Sequence, residues 1–281
     1  MDRTPSSAND GRPFLPKAKA DDRLGRFREI VADPNNQRIP RVPHAGMLSA
    51  DPDGRTVVVM HNGLHMHLDS YYGPMAEILV INRGVHEPQE ELVFGRVLER
   101  LGPAPTMIEL GAYWGFYSAW FKARHPDGRV VLVEPDPRHL QAGRDNFALN
   151  GLEGEFHANI VGPGGFDVAR HFETSGIEHL DLLHADIQGA ELHLLTSIRP
   201  LLEAGRVSYL FVSTHSQELH RQCRDLLAAS CWRLVAEADF ERESFCFDGV
   251  LVACRPDIEW EPIELFCRAD GDAIDTVGFE E

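Results

Sequence analysis

Glu109 closes a short apolar run in TMIELGAYWGFYSAWF (106–121), and Gly111 and Gly115 follow it within six residues. A carboxylate just ahead of spaced glycines is an arrangement suited to a ligand. Glycine lets the backbone turn tightly and approach a bound molecule without interference from a Cβ. A helix starting near Gly115 offers free N–H groups and a positive dipole end, worth about 0.3–1 kcal/mol to a nearby anion. Ser118 adds a hydroxyl on that first turn. Twenty-five residues beyond Glu109, RVVLVEPDP ends on Glu134. An acid at the end of a second strand is placed to accept both hydroxyls of a ribose.

A second group of candidates lies further along. HLDLLHADIQGAE delivers His184 and Asp186, and YLFVSTHSQE delivers His215 followed by Ser216. If these strands are neighbours, Asp186 and His215 share one rim. A histidine with an ordinary pKa near 6.5 is suited to removing a proton, and a carboxylate orients its ring. His215 is therefore the candidate base and Asp186 its orienter or a ligand to an acceptor. The same segment also reads as a helix cap, since Ser213, Thr214 and Ser216 could all cap. One Asp and one His are half a metal site, so a divalent ion is a possibility that the sequence does not favour. His184 alternates with leucines and reads as a core histidine. His65 and His67 share one strand face in HNGLHMHLD and could bind metal or simply be solvated.

These residues need elements to hold them. From Thr106 onward, apolar runs at 106–110, 129–134, 154–160, 179–186 and 207–213 alternate with helical stretches near 115–124, 136–150, 190–204 and 216–230. Continuous apolar strands separated by helices predict a mostly parallel α/β sheet covered on both faces. WRLVAEADF and FCFDGVLVACRP read as a closing antiparallel pair. Upstream, Asn62-Gly63 predicts a hairpin over Arg55–Asp69. HEPQEELVFGRVLERLG carries helix start, face and stop signals. The expected layout is a polar arm at 1–50, a hairpin and helix at 51–105, a sheet core at 106–255 and an acidic, solvated tail at 256–281. Tyr71 and Tyr72 would line an acceptor pocket if the 51–105 segment forms a lid.

Composition limits the partners. Forty-four acids against 27 lysines and arginines give a formal charge of −17, which repels phosphate backbones and anionic lipid. Neither nucleic acid nor a membrane is an expected partner. The five cysteines form no CxxC pair and read as reduced thiols. The N-terminal stretch has no apolar core of a secretory signal, so a cytoplasmic location is expected.

Gly111 is followed by Ala112 and Tyr113, leaving no second glycine for a pyrophosphate. An acid before the glycines suits a ligand with an ammonium group, which points to S-adenosylmethionine. IELGAYWGFYSAWF, VVLVEPDP, FHANIVG and LDLLHADIQGAELHLL resemble the successive ligand-binding motifs of class I S-adenosylmethionine-dependent methyltransferases. DIQGAE resembles the D-V-E-G-x-E signature of the FkbM family, mostly small-molecule O-methyltransferases. The resemblance covers about residues 86–254. It implies a Rossmann-like sheet of seven strands and the transfer of a methyl group to an oxygen of a small molecule. It also implies that Glu109 and the Gly111–Gly115 loop, with Tyr113 and Ser118, hold the methionine portion, Glu134 the ribose, and Ala158 and Asn159 the adenine. Asp186 would stand where cofactor meets acceptor. Gln188, in place of the usual acid, and Trp114 in the glycine loop depart from the pattern. Two rival readings are a metal-dependent hydrolase using His65, His67, Asp186 and His215, and a nucleoside-binding protein without turnover. A homo-oligomer stays open.

Overall fold

The computed structural model describes residues 18–19 and 22–268. Residues 1–17 and 20–21 of the arm expected at 1–50 therefore lie outside the described residues, as does 269–281 of the tail. What is described of both ends packs on the core. Helix α1 (Arg23–Ala32) starts on Asp22, whose side chain accepts from the Gly25 N–H, and buries Phe27 and Ile30. At the other end, the Phe266 carbonyl accepts from Asn35 Nδ2 and Gln89 Nε2, and Ile258 and Trp260 pack on the core.

Between them, a small antiparallel sheet comprises β1 (Leu48–Ala50), β2 (Thr56–Val59) and β3 (His65–His67). The β2–β3 pairing is the expected hairpin, with Gly63 in the left-handed region at φ 90°. Helices α2 (Glu77–Ile81) and α3 (Pro88–Leu98) follow.

The main sheet then builds from β4 (Thr106–Leu110), α4 (Phe116–Arg124), β5 (Arg129–Val133), α5 (Pro137–Leu149), β6 (Glu155–His157), α6 (Val168–Ser175) and β7 (Leu180–Ala185). It continues through α7 (Glu191–Ser197), α8 (Arg199–Glu203), β8 (Val207–Thr214), α9 (Gln217–Ala229), β9 (Arg233–Ala238) and β10 (Gly249–Cys254). Its seven strands run in the order β6-β5-β4-β7-β8-β10-β9. The first five are parallel, and β10 is antiparallel to both its neighbours. This is the Rossmann-like α/β architecture expected from the alternating pattern. The chain moves outward from β4 to β6 and then crosses back to β7, so order reverses between β4 and β7. Ligands of such sheets bind at that reversal, outside the carboxyl ends of the strands.

Residue parity along the strands assigns two separate cores, because successive side chains point to opposite faces. Met107, Val130, Leu132, Leu182 and Phe211 enter the core beneath α3, α4 and the N-terminal unit. Ile108, Leu110, Val131, Leu183 and Leu210 enter the other, beneath α6, α7 and α9. Glu109 and His184 have the first parity and are paired across β4 and β7. Both point at the N-terminal unit.

Three elements differ from expectation. Helix α6, capped by Asp167 and ended by left-handed Gly176, was not expected; it has only eight residues, with Val168 and Phe172 on its buried side. The helix expected at 190–204 is split at Ile198, because Pro200 has no N–H to continue the ladder. Strand β6 stops at His157, which leaves Ala158 and Asn159 exposed beyond it.

The small sheet is joined to the large one through amide side chains on α5. Buried Asn146 accepts from the His67 N–H at 2.9 Å and donates to the Trp114 carbonyl at 3.0 Å. Asn150 makes the equivalent pair of bonds with both backbone groups of His65. Edge strand β3 thus has its polar groups covered. Asn146→Ala leaves two buried backbone groups unpaired, at about 1–3 kcal/mol each. Urea unfolding should show the midpoint falling with an unchanged slope; an unaltered midpoint would remove Asn146 from this role.

Candidate functional site

The loop from β4 to α4 is held on both sides. The N–H groups of Gly111 and Ala112 both donate to the Val133 carbonyl of β5, at 2.8 and 3.0 Å, while the Asp186 N–H donates to Leu110. Gly111 has φ 77°, and a Cβ there would lie 1.7 Å from the Asp186 carbonyl oxygen. Only glycine fits. Gly115, at φ 76°, is the N-cap of α4. Tyr113 is also left-handed, at φ 46°, a cost a non-glycine residue bears when its surroundings fix it.

Glu109 is 2% exposed and accepts from the Ser118 N–H at 3.0 Å. Burial pushes its carboxyl up to about 7, opposed by the charge of His184 and the bonds from Ser118. Glu134 follows β5, where its two oxygens accept from the Tyr113 N–H at 3.0 Å and the Asp136 N–H at 2.9 Å. The second carboxylate thus shapes the glycine loop as well as facing the strand end.

A cavity of about 460 Å³ opens over the carboxyl ends of β4, β7 and β8. Glu109, Gly111, Tyr113, Asp186 and His215 line it, whereas Gly115, Ser118, Glu134, Ala158 and Asn159 do not. Tyr113 stands at the border, its ring stacked on Tyr72 at 4.3 Å and edge-on to His139 at 4.5 Å. Tyr71 and Tyr72 both line the cavity, and so do Trp114, Phe116 and Tyr117. Phe116 and Tyr117, which helical spacing alone would assign to the core, serve core and cavity together.

His215 is the centre of the outer rim. Its Nδ1 lies 2.9 Å from Glu191 Oε1, and its Nε2 lies 3.1 Å from Asp186 and 3.3 Å from Asp248. Burial alone would lower its pKa. The hydrogen bonds to Asp186 and Glu191 and the charge of Asp248 outweigh burial and push it up to about 10. At neutral pH the ring is an imidazolium, so it takes up a proton only after one has left. Glu191 explains the DIQGAE pattern physically. It turns back to accept from the N–H groups of Ile187 and Gly189, at 3.2 and 3.1 Å, and holds His215 with the same oxygen.

Beneath the rim lies a buried layer contributed by α3. Glu90 holds His184 Nε2 at 2.6 Å and accepts from the Ser213 hydroxyl at 3.0 Å. Burial would lower His184, but the bond and charge of Glu90, with Glu109, push it up to about 9. Glu91 accepts from the N–H groups of His86 and Glu87 and lies 2.9 Å from His61 Nε2. Burial would raise it, yet the charge of His86 and the contacts with both histidines hold it well below the usual carboxylate range. Glu87 faces the cavity, accepts from the Tyr117 hydroxyl at 2.7 Å, and is pushed up to about 8 by burial against the opposing charge of His86.

Asp248, Glu87, Glu90 and Glu191 were not singled out from the sequence. HEPQEE looks like the solvated first turn of a helix, and nothing local shows that the sheet covers it. His65 and His67 stand apart from Asp186 and His215: His67 pairs with Asp51 at 2.9 Å, and neither lines the cavity. Asp186, His215 and Asp248 do bring three potential ligand atoms within 4.8 Å of one another, a cluster that supplies the third ligand missing from the sequence reading. Among the described residues no disulfide joins any of the five cysteines.

No family model matches the chain, and no curated protein matches it. Solved structures with a similar fold include the ribosomal protein L11 methylase of Lactobacillus delbrueckii, at 15% identity over 60% of this chain and 80% of that one, with a TM-score of 0.42. The precorrin-6y C5,15-methyltransferase of Geobacter metallireducens matches at 16% identity over 59% and 88%, also at 0.42. M. capricolum TrmK, in complex with S-adenosyl-homocysteine, matches at 10% identity over 61% and 70%, again at 0.42. Likenesses this low describe the fold alone. What the chain does has to come from its own residues.

The histidine pairs carry a pH signature. The unfolded chain releases these protons near 6.5, whereas folded His184 and His215 keep them to about 9 and about 10. Their stabilisation is therefore complete below pH 6.5 and is lost as pH rises through 9 to 10. Glu90→Gln should flatten the His184 part of that fall in denaturant titrations at successive pH values. A slope identical to that of the parent would show that His184 carries no extra proton.

Proposed function

We propose that this chain is an S-adenosylmethionine-dependent methyltransferase that methylates an oxygen of a small-molecule acceptor. The observation that carries the reading is the strand-order reversal occupied by a glycine pressed onto the Asp186 carbonyl, with buried Glu109 beside it on the wall of a cavity. A backbone packed this closely leaves the space above it to a ligand. A buried carboxyl on that wall gains its counter-charge when an ammonium group arrives.

The residues present fit the methionine half of that cofactor. Glu109 would hold the ammonium, and the loop from Gly111 to Gly115 would follow the chain. Glu134 keeps lone pairs beyond its two backbone bonds, and these are what a ribose diol would use. Tyr113 governs access from the cavity to that side. When bound, S-adenosylmethionine supplies an electrophilic methyl group.

The other tasks belong to the chain. Tyr71 and Trp114, both buried, wall the cavity against water, which strengthens the electrostatics inside. Methyl transfer to oxygen asks mainly for in-line placement and an exit for the hydroxyl proton. Asp186, fixed by the His215 imidazolium, faces that position. His215 becomes a base itself only once it has lost its own proton. The acid-rich surface and enclosed cavity favour a small acceptor over a nucleic acid.

Two measurements test this. Calorimetry should show S-adenosylhomocysteine binding, with Glu109→Gln weakening it by about 1.5–3 kcal/mol, the worth of a hydrogen bond to a charged group. An absence of binding to the parent protein would overturn the reading, and binding without methyl transfer to any hydroxyl-bearing acceptor would leave a nucleoside-binding protein. In the second, turnover should rise with pH towards about 10, as His215 loses its proton. His215→Ala should cost about 10²–10⁴-fold in turnover and remove that rise, with cofactor affinity kept.

A further inference from the structure

The cavity wall is unbalanced in charge. Four carboxyl groups line it (Glu87, Glu109, Asp186 and Asp248), and no lysine or arginine does so among the described residues. Its only basic groups are His86, His184 and His215. Each of them already has carboxylates as partners: Glu91 at 2.8 Å and Glu87 at 3.5 Å for His86, Glu90 at 2.6 Å for His184, and Glu191, Asp186 and Asp248 for His215, so the acids outnumber the histidines even after pairing. An anionic ligand would find no positive charge here that is not already paired with carboxylates. A cation would find several acids and an aromatic wall, the combination that recognises ammonium groups.

The bound cofactor does not use up this imbalance. Its ammonium belongs with Glu109, deep on β4, and its carboxylate cancels one of its own two positive charges. Glu87 and Asp248 lie toward the N-terminal unit and the β9–β10 connection. Tyr72 lines the cavity with them, half exposed at its mouth and with its ring stacked on Tyr113 at 4.3 Å. A separate observation also points to a polar guest. His184 lines the cavity, its side chain is 3% exposed, and its Nδ1 is buried without a hydrogen-bond partner. A donor in that state is open to an oxygen of a bound molecule.

We propose that the acceptor carries a positively charged nitrogen, seated among Glu87, Asp248 and the ring of Tyr72, so that the substrate class is a hydroxyl-bearing amine. This rests on the methyltransferase reading for the word acceptor, but not for the cation site itself. Glu87 supports it from another direction. Burial holds its carboxyl up to about 8, a state that an arriving cation would reverse. The methyl group still goes to oxygen, and the ammonium group serves to place that oxygen.

The test uses three probes with one phenol ring and different arms: tyramine (cationic), p-ethylphenol (neutral) and phloretic acid (anionic). Binding is measured by calorimetry on the full chain, with and without saturating S-adenosylhomocysteine. Tyramine should bind at least about tenfold tighter than p-ethylphenol, with phloretic acid weakest. Glu87→Gln and Asp248→Asn should each erase most of that preference while S-adenosylhomocysteine affinity stays within about threefold, with melting curves confirming that both variants fold. Equal or better binding of the neutral or anionic probe overturns the proposal, and so does no detectable tyramine binding. A preference for tyramine that survives in both variants overturns the assignment of the site. Failure of S-adenosylhomocysteine to bind, with the tyramine preference intact, would instead remove the methyltransferase reading and keep the cation site.

Discussion

The architecture depends on burying the acids at the start of α3. Glu90 and Glu91 are 4% and 0% exposed, and Glu87 reaches the cavity from the same turn. Taking a carboxylate out of water costs several kcal/mol even after the protein relaxes. That cost is met only because partners arrive from three different places. His61 and His86 come from the N-terminal unit, His184 and Ser213 from the sheet, and Tyr117 from α4. The helix dipole helps, since its positive end lies at that turn. The N-terminal unit is therefore part of the electrostatic core of the sheet domain, and separating the two would leave uncompensated charges on both sides.

The same arrangement positions the site. His184 sits between Glu90 below and Glu109 beside it, so the acid of α3 and the acid of β4 share one buried histidine. Gly111 in turn presses on the Asp186 carbonyl, and Glu191 draws the following loop back onto His215. Each contact crosses between strands that are adjacent in space and distant in sequence. A small displacement of α3 would reach the cavity through His184, which makes the lower acids positioning residues for the rim above them.

The protonation states set what the rim can do. His215 is charged at neutral pH because three carboxylates surround it, and Glu87 and Glu109 are held up because burial outweighs the cations near them. The rim thus pairs a fixed imidazolium with carboxyl groups that a cationic guest would ionise. A histidine that is neutral at rest would need fewer acids nearby.

How much of this was legible in the chain depends on the range of the interaction that decides it. Alternating apolar runs and helical stretches are local, so the parallel sheet, the hairpin at Asn62-Gly63 and the Glu109–Gly111–Gly115 turn could be read directly. The short helix α6, the break at Pro200 and the early end of β6 were missed or misplaced, because a helix of two turns and the exact end of an element depend on caps and packing more than on apolar period. Burial was the larger gap. HEPQEE has the composition of a solvated helix start, and only the sheet laid over it turns those acids into buried partners of histidines 30 and 94 residues away. Asp248, from the β9–β10 connection, joins Asp186 and His215 only when β10 inserts beside β8. Desolvation and the meeting of distant charges exist only in three dimensions, so the residue types came from the sequence, while their protonation and partnership came from the tertiary structure.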